Sequence, residues 1–173
     1  DDTNCSFCGK GYTDIDGECY YRSDLNVLKI FIDNSSKTID WYLDTDSSGV
    51  IEPLELGYQR WEEGRLTYLQ CEDNELSDVI PPEISNLTKL TFLGLGWNQF
   101  TGTIPPEIGY LINLTHLDLL ANELTGTIPP EIGNLTNLTH LYLWSNRLTG
   151  TIPPEIGNLT NLTHLDLLSN QLV

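Results

Sequence analysis

Leucine and isoleucine recur along the C-terminal part of the chain at a spacing that never slips. Aligned from Leu66, the sequence reads LTYLQCEDNELSDVIPPEISNLTK, LTFLGLGWNQFTGTIPPEIGYLIN, LTHLDLLANELTGTIPPEIGNLTN, LTHLYLWSNRLTGTIPPEIGNLTN and the half unit LTHLDLLSNQLV, a 24-residue period that runs unbroken to Val173. Such a period marks a stack of like units, none of which can bury its apolar face alone. In the segment from Leu90 to Leu95, and in its equivalents, polarity alternates. Leu93 and Leu95 are expected to point inward and Phe92, Gly94 and Gly96 outward, so that successive segments pair as a parallel sheet. Asn74, Asn98, Asn122, Asn146 and Asn170 recur where the chain leaves each strand, where a buried amide can satisfy the free backbone groups of adjacent coils. Gly102, Gly126 and Gly150, with Asp78 in the first unit, mark a position that needs a left-handed or tight backbone. The Ile-Pro-Pro-Glu-Ile run then imposes an extended step at Ile104 and opens a helical turn at the second proline. Ile104, Ile108 and Leu111 complete the core from the far side.

Residues 1–65 lack the period and are expected to shield the first unit as a cap, with the array at 66–173. Short loops precede a predicted helix over residues 24–33, with Leu25, Leu28, Phe31 and Ile32 on one face.

The array resembles the leucine-rich repeat, L-x-x-L-x-L-x-x-N-x-L. Its second half, L-T-G-x-I-P-P-E-I-G-x-L, is similar to the plant-type subclass of receptor-kinase ectodomains and polygalacturonase-inhibiting proteins. The resemblance implies an α/β solenoid: a right-handed coil with a parallel sheet on its concave face, here behind a small helical cap. The plant families carry a Cys-Cys-x-Trp cap, which does not occur in this sequence.

Composition narrows the partners. The 173 residues hold 25 acidic against 8 basic side chains, a net charge of −17, which disfavours nucleic acid and anionic membranes. An apolar content of 39% suffices for a core, and no run approaches the ~18 apolar residues of a membrane span. There is no Met and the chain opens on Asp1 and Asp2, for which a cleaved secretory signal is the simplest reading. Four cysteines (Cys5, Cys8, Cys19, Cys71) fit an oxidising compartment, so the expected location is secreted or cell-surface. Two disulfides are expected, with three full connectivities open. Cys71 occupies an inward strand position and reads either as a buried thiol in place of Leu or as a tie to the cap. Zinc is the rival for Cys5-x-x-Cys8, although the other two cysteines lack paired spacing. A c-type haem is excluded because Gly9, not His, follows Cys8.

Residues 44–55 read DTDSSGVIEPLE, which resembles the EF-hand loop D-x-[DN]-x-[DN]-G-x5-E. Asp44, Asp46 and Ser48 take alternate positions, Gly49 the sharp turn, Val50 a carbonyl ligand, Glu52 the ninth position and Glu55 the closing one. The resemblance implies a structural calcium ion of modest affinity, since Ser48 stands where Asp or Asn is usual. A helix is predicted to leave the loop at Pro53, anchored by Leu54, Tyr58 and Trp61 and ended by Gly64. The competing reading is an acidic, Ser-rich surface turn.

Stacking the units turns outward positions into columns. The first is Tyr68, Phe92, His116, His140, His164; the second Gln70, Gly94, Asp118, Tyr142, Asp166. Glu72, Gly96, Leu120, Trp144, Leu168 and then Asp73, Trp97, Ala121, Ser145, Ser169 follow. Exposed aromatics beside acids and histidines are expected to recognise a protein or glycan ligand, with Leu120 and Leu168 adding apolar area. A passive origin competes, since near-identical units would copy a histidine column without any ligand. Metal binding there is disfavoured because strands of one flat sheet do not wrap around an ion. No nucleophile elbow or H-E-x-x-H motif is present, which points away from catalysis. N-x-S/T tripeptides at Asn4, Asn34, Asn86, Asn113, Asn134, Asn137, Asn158 and Asn161 are candidate glycosylation sites. The last strand is followed only by Asn170, Gln171, Leu172 and Val173, an apolar end expected either to continue into further repeats or to be covered by another molecule. The leading function is therefore a non-enzymatic recognition or adhesion module. The alternative is a structural subunit that stacks head to tail into a filament, and an enzyme-inhibitor role rests on fold resemblance alone.

Overall fold

The computed structural model describes residues 8–35, 39 and 41–173. The first element is a hairpin where only loops were expected: β1 (Tyr12–Ile15) pairs antiparallel with β2 (Glu18–Tyr21). Asp16 and Gly17 join them with φ of 54° and 86°. Two positive φ values suit the right-handed twist of the flanking strands, and Asp-Gly is a sequence signal for such a turn. Helix α1 (Arg22–Asn34) follows, longer at both ends than predicted; it buries Asp24, Val27, Leu28 and Phe31, so Val27 takes the place expected of Leu25.

The predicted exit helix after the acidic loop is not formed. Residues Pro53–Glu55 make one 3-10 turn, and the chain then enters strand β3 (Tyr58–Glu62). Gly57 bends the backbone with φ +62°, at a place where a Cβ would collide with the carbonyl of Gln70. Glu63 and Gly64, both at positive φ, return the chain into β4 (Arg65–Gln70), antiparallel to β3. Pairing with the first repeat strand outweighs the helical signal, because β3 thereby covers an otherwise open sheet edge.

The remaining strands are β5 (Ser77–Val79), β6 (Phe92–Gly94), β7 (Gln99–Thr101), β8 (His116–Asp118), β9 (His140–Tyr142), β10 (Thr149–Gly150), β11 (His164–Asp166) and β12 (Gln171–Leu172). One six-stranded sheet runs β11-β9-β8-β6-β4-β3, parallel except at the β3/β4 edge. Short parallel pairs β5/β7 and β10/β12 form at the LTG segments, which the alternation rule did not foresee. On the far side, 3-10 turns over Pro82–Asn86, Pro106–Tyr110, Pro130–Asn134 and Pro154–Asn158 each start at the second proline, as expected.

A single apolar core runs from Val27 in α1 through the repeat leucines to Leu159. The asparagine ladder stitches its coils together. Asn122 Oδ1 accepts the Phe100 N–H at 3.0 Å, while its Nδ2 donates to the carbonyls of Leu95 and Leu119. Asn98, Asn146 and Asn170 repeat this pattern. Asn74 stands on the first rung, with no earlier coil beneath it, and its buried Oδ1 has no partner among the described residues. Asp78, Gly102, Gly126 and Gly150 have φ between 71° and 78°, the left-handed backbone read from the sequence. The residue ahead of each ladder asparagine, Trp97 among them, is left-handed as well.

The cap is docked by devices used once. Asp24, fully buried, accepts from Arg65 Nε at 2.8 Å and from the Leu66 N–H at 2.9 Å. The Arg65 guanidinium also lies over Tyr21, and Phe31 packs edge-on against Phe100.

Candidate functional site

Two groups of side chains concentrate chemistry. The larger is the sheet face, where pairing places Tyr68, Phe92, His116, His140 and His164 in register, and likewise Gln70, Gly94, Asp118, Tyr142 and Asp166. The first column is two ring stacks joined by a tilted contact between Phe92 and His116 at 5.6 Å. Tyr68 lies flat on Phe92 at 4.2 Å between centroids, His116 on His140 at 4.2 Å, and His140 on His164 at 4.3 Å. Tyr58 of β3 closes its capped end edge-on, with Arg60 above Tyr68.

The repeated threonine determines how each imidazole is held. Oγ1 of Thr115, Thr139 and Thr163 lies 2.9 to 3.0 Å from the carbonyl oxygen of the threonine one repeat earlier. Two oxygens that close need a hydrogen between them, so each hydroxyl spends its only proton there. The same oxygens lie 2.8 to 2.9 Å from Nδ1 of His116, His140 and His164. They act as acceptors toward Nδ1–H, which leaves every neutral Nε2 with an outward lone pair. Burial lowers the pKa of His116 below the usual histidine value, and the charges of His140 and His164 add to that; His140 is lowered for the same reasons.

Beside the stack, Gly94 and Gly96 are not open outward positions as expected. Phe92 and Glu72 close over Gly94, and Leu120 and Asp118 over Gly96, which makes Leu120 half-buried. Burial pushes the Asp118 carboxyl up to about 6; Glu72 adds to the shift, against the bond from the Leu120 N–H. Trp97, 56% exposed, meets Trp144 edge to face at 5.7 Å. Leu168 is exposed at the far end of the face, whereas Leu165, in register with the buried Leu141, is exposed on the core side of the last coil.

The second group is the acidic loop. Carboxylate oxygens of Asp44, Asp46 and Glu55 lie within 4.8 Å of one another. Asp44 accepts from the N–H groups of Ser48 and Gly49, and Glu55 from Thr45 and Glu52. The Thr45 hydroxyl is the chief cause of the lowered pKa of Glu55. The Ser48 hydroxyl donates to the Val50 carbonyl at 2.9 Å, so both oxygens are at hand. Glu52 is not in the cluster; its carboxylate caps the Pro53–Glu55 turn. The donor set is all hard oxygen, of the kind that calcium takes about six to eight at a time.

The cysteines settle differently from the two expected disulfides. Cys8 bonds Cys19, which ties β2 to the segment just ahead of β1 and removes Cys8 as a zinc ligand. Cys71 is a free, buried thiol in the leucine position, donating to the Leu56 carbonyl, and burial pushes its pKa far up. Its place inside the core keeps it from reaching the cap's surface hairpin. Cys5 and Asn4 lie outside the described residues. The other acceptor asparagines, Asn34 at the end of α1 included, are exposed. The six in the array divide into two sets: Asn113, Asn137 and Asn161 donate Nδ2 to carbonyls of the preceding coil, whereas Asn86, Asn134 and Asn158 end the 3-10 turns.

No helix among the described residues is long and apolar enough to cross a membrane. No curated protein matches the chain. Among solved structures it is similar to the BIR2 ectodomain from Arabidopsis thaliana, with 35% identity and a TM-score of 0.62, over 65% of this chain and 60% of that one. It is also similar to a chain of the BIR3–SERK2 complex from the same plant, with 28% identity and a TM-score of 0.68, over 87% and 82%. A third likeness is to the plant peptide hormone receptor RGFR1 in complex with RGF2, with 46% identity and a TM-score of 0.61, over 64% of this chain but 18% of the receptor. The model of the leucine-rich repeat region matches residues 65–172. In sheet, ladder and period alike, the chain belongs to the leucine-rich repeat proteins.

Proposed function

We propose that the protein is a non-enzymatic extracellular recognition module that binds a protein segment through its sheet face, with calcium ordering the cap loop. The observation that carries this reading is the sheet face itself: imidazole edges in register, carboxylates beside them and an exposed Trp97 set against the half-buried Trp144. It favours a peptide over a glycan. Sugars stack on ring faces, and in the first column those faces are spent on one another at 4.2 to 4.3 Å, leaving edges that exchange hydrogen bonds. The similar chain of the BIR3–SERK2 complex and the plant peptide hormone receptor RGFR1 in complex with RGF2 support the same class of partner. The Cys8–Cys19 disulfide supports an oxidising compartment.

The test is parallel selection on a random peptide library and a glycan array with the full chain and with Trp97→Ala/Trp144→Ala. Peptides held by the native chain and lost by the double variant are the expected result; glycans alone would overturn the reading. For the loop, calorimetry with calcium chloride is expected to show one site, and Glu55→Gln to abolish both the heat and any calcium-dependent rise in melting temperature. Absence of heat at millimolar calcium would reduce the loop to an acidic turn. An increase of mass with concentration in light scattering would favour the filament instead.

A further inference from the structure

The threonine–histidine ladder dictates what kind of segment suits the face. At neutral pH, three Nε2 lone pairs project from His116, His140 and His164, because each Nδ1–H is committed to a threonine. The carboxylates of Glu72, Asp118 and Asp166 stand beside that column, acceptors as well. The donors available in return are few: the Tyr142 hydroxyl and the indole N–H groups of Trp97 and Trp144. Arg60 is remote, over Tyr68 at the capped end, and Phe92 separates it from His116. On the other flank of the threonines, Glu62, Glu63, Arg65 and Lys89 gather at that same capped end, while Asn113, Asn137 and Asn161 continue the row without charge.

We infer that this acceptor-rich face selects an extended segment carrying lysine or arginine side chains and releases it on acidification. Ammonium and guanidinium groups supply donors and positive charge to a surface that offers mostly acceptors. Acid reverses the match by a route the ladder prescribes. Since Nδ1 already bears hydrogen, a proton entering an imidazole lands on Nε2, turning an acceptor into a cationic donor. Asp118, whose carboxyl burial pushes up to about 6, takes up a proton on acidification as well and loses its charge. The imidazolium repels a cationic ligand, and the neutral carboxyl no longer attracts it. This inference rests on the peptide-recognition reading above.

The experiment is selection of a random linear peptide library, displayed on phage, by the immobilised full chain at pH 7.5 and physiological salt, followed by elution at pH 5.0. Recovered peptides are expected to be enriched in Lys and Arg and poor in Asp and Glu, and synthetic copies to bind about tenfold more weakly at pH 5.0. His116→Phe/His140→Phe/His164→Phe, which keeps a stack like that of Phe92, is expected to weaken binding and flatten its pH dependence. His140→Phe alone serves if the triple variant does not fold. Glu131→Gln/Glu155→Gln, on the 3-10 turns away from the face, is expected to change nothing; an equal loss there would mean general charge attraction and overturn the inference. Peptides without cationic preference, or retained at pH 5.0, would also overturn it, and if Trp97→Ala/Trp144→Ala still lost them, peptide recognition would stand. No recovered peptide at all would remove both readings.

Discussion

The cap and the array enclose one core but satisfy their polar groups in opposite ways. In the array the ladder amides and the threonines find partners in the neighbouring coil, 22 to 27 residues away, so one solution is copied along the stack. In the cap no device recurs with a period: a disulfide, a buried ion pair and a carboxylate-closed loop occur once each, beside two tight hairpin turns. Repetition spreads a defect over equivalent neighbours on both sides, whereas a single-use contact has no substitute. Where the two regions meet, the rule shows its edge, since Asn74 is the ladder amide whose oxygen lacks a partner.

The largest expected effect sharpens that contrast within the ladder itself. Asn122→Ala strands the Phe100 N–H and the carbonyls that its amide served, and should cost about 4 kcal/mol in denaturant unfolding, as several buried groups lose bonds at once. Asn74→Ala, on the rung with the unpartnered oxygen, should cost about 1 kcal/mol. Equal costs would mean that position in the stack is irrelevant. Next comes the junction. Asp24→Ala leaves Arg65 and the Leu66 N–H without their carboxylate and should cost about 3 kcal/mol. If cap and array then melt separately in calorimetry, the single-use contact is what couples them; one unchanged transition would break the comparison.

The smallest effect concerns the sheet face. The folded-state pKa of Asp118 is raised from 3.8 to about 6, so the stability tied to its neutral form is complete below 3.8 and lost as pH rises through 6. Asp118→Asn keeps an acceptor for the Leu120 N–H and should raise the melting temperature by about 2 °C at pH 7.5, with no gain at pH 3.5. His116 and His140 work in the other direction. Their lowered pKa means stability present above about 6.5 and lost as pH falls, so the triple phenylalanine variant should melt less pH-dependently on the acid side. A gain for Asp118→Asn that persisted at pH 3.5 would show that packing, not charge, sets the effect.

Much of this was legible in the residues, for definable reasons. Period and alternation determined the strand register, so both columns of the sheet face could be written down position by position. Asp78 could be read as left-handed because it stands where three glycines stand. The cap resisted because its signals compete. Leu54, Tyr58 and Trp61 suit a helix, yet the edge of β4 draws Tyr58–Glu62 into a strand; Asp16-Gly17 and Glu63-Gly64 were the turn signals that could have revealed both hairpins. The loop spacing brought Asp44, Asp46 and Glu55 together, but sequence could not show that Glu52 caps its own turn.

By itself, the sequence determined a periodic coil, its sheet and the line on which three histidines stand, because those follow from spacing alone. Tertiary structure decided which nitrogen of each histidine faces outward, which cysteine stays a thiol and how Asp24 ties the cap down. Those outcomes depend on groups supplied by other coils, such as the Thr91 carbonyl that takes the Thr115 hydroxyl proton and the Arg65 that meets Asp24, and no local pattern of residues encodes such an approach.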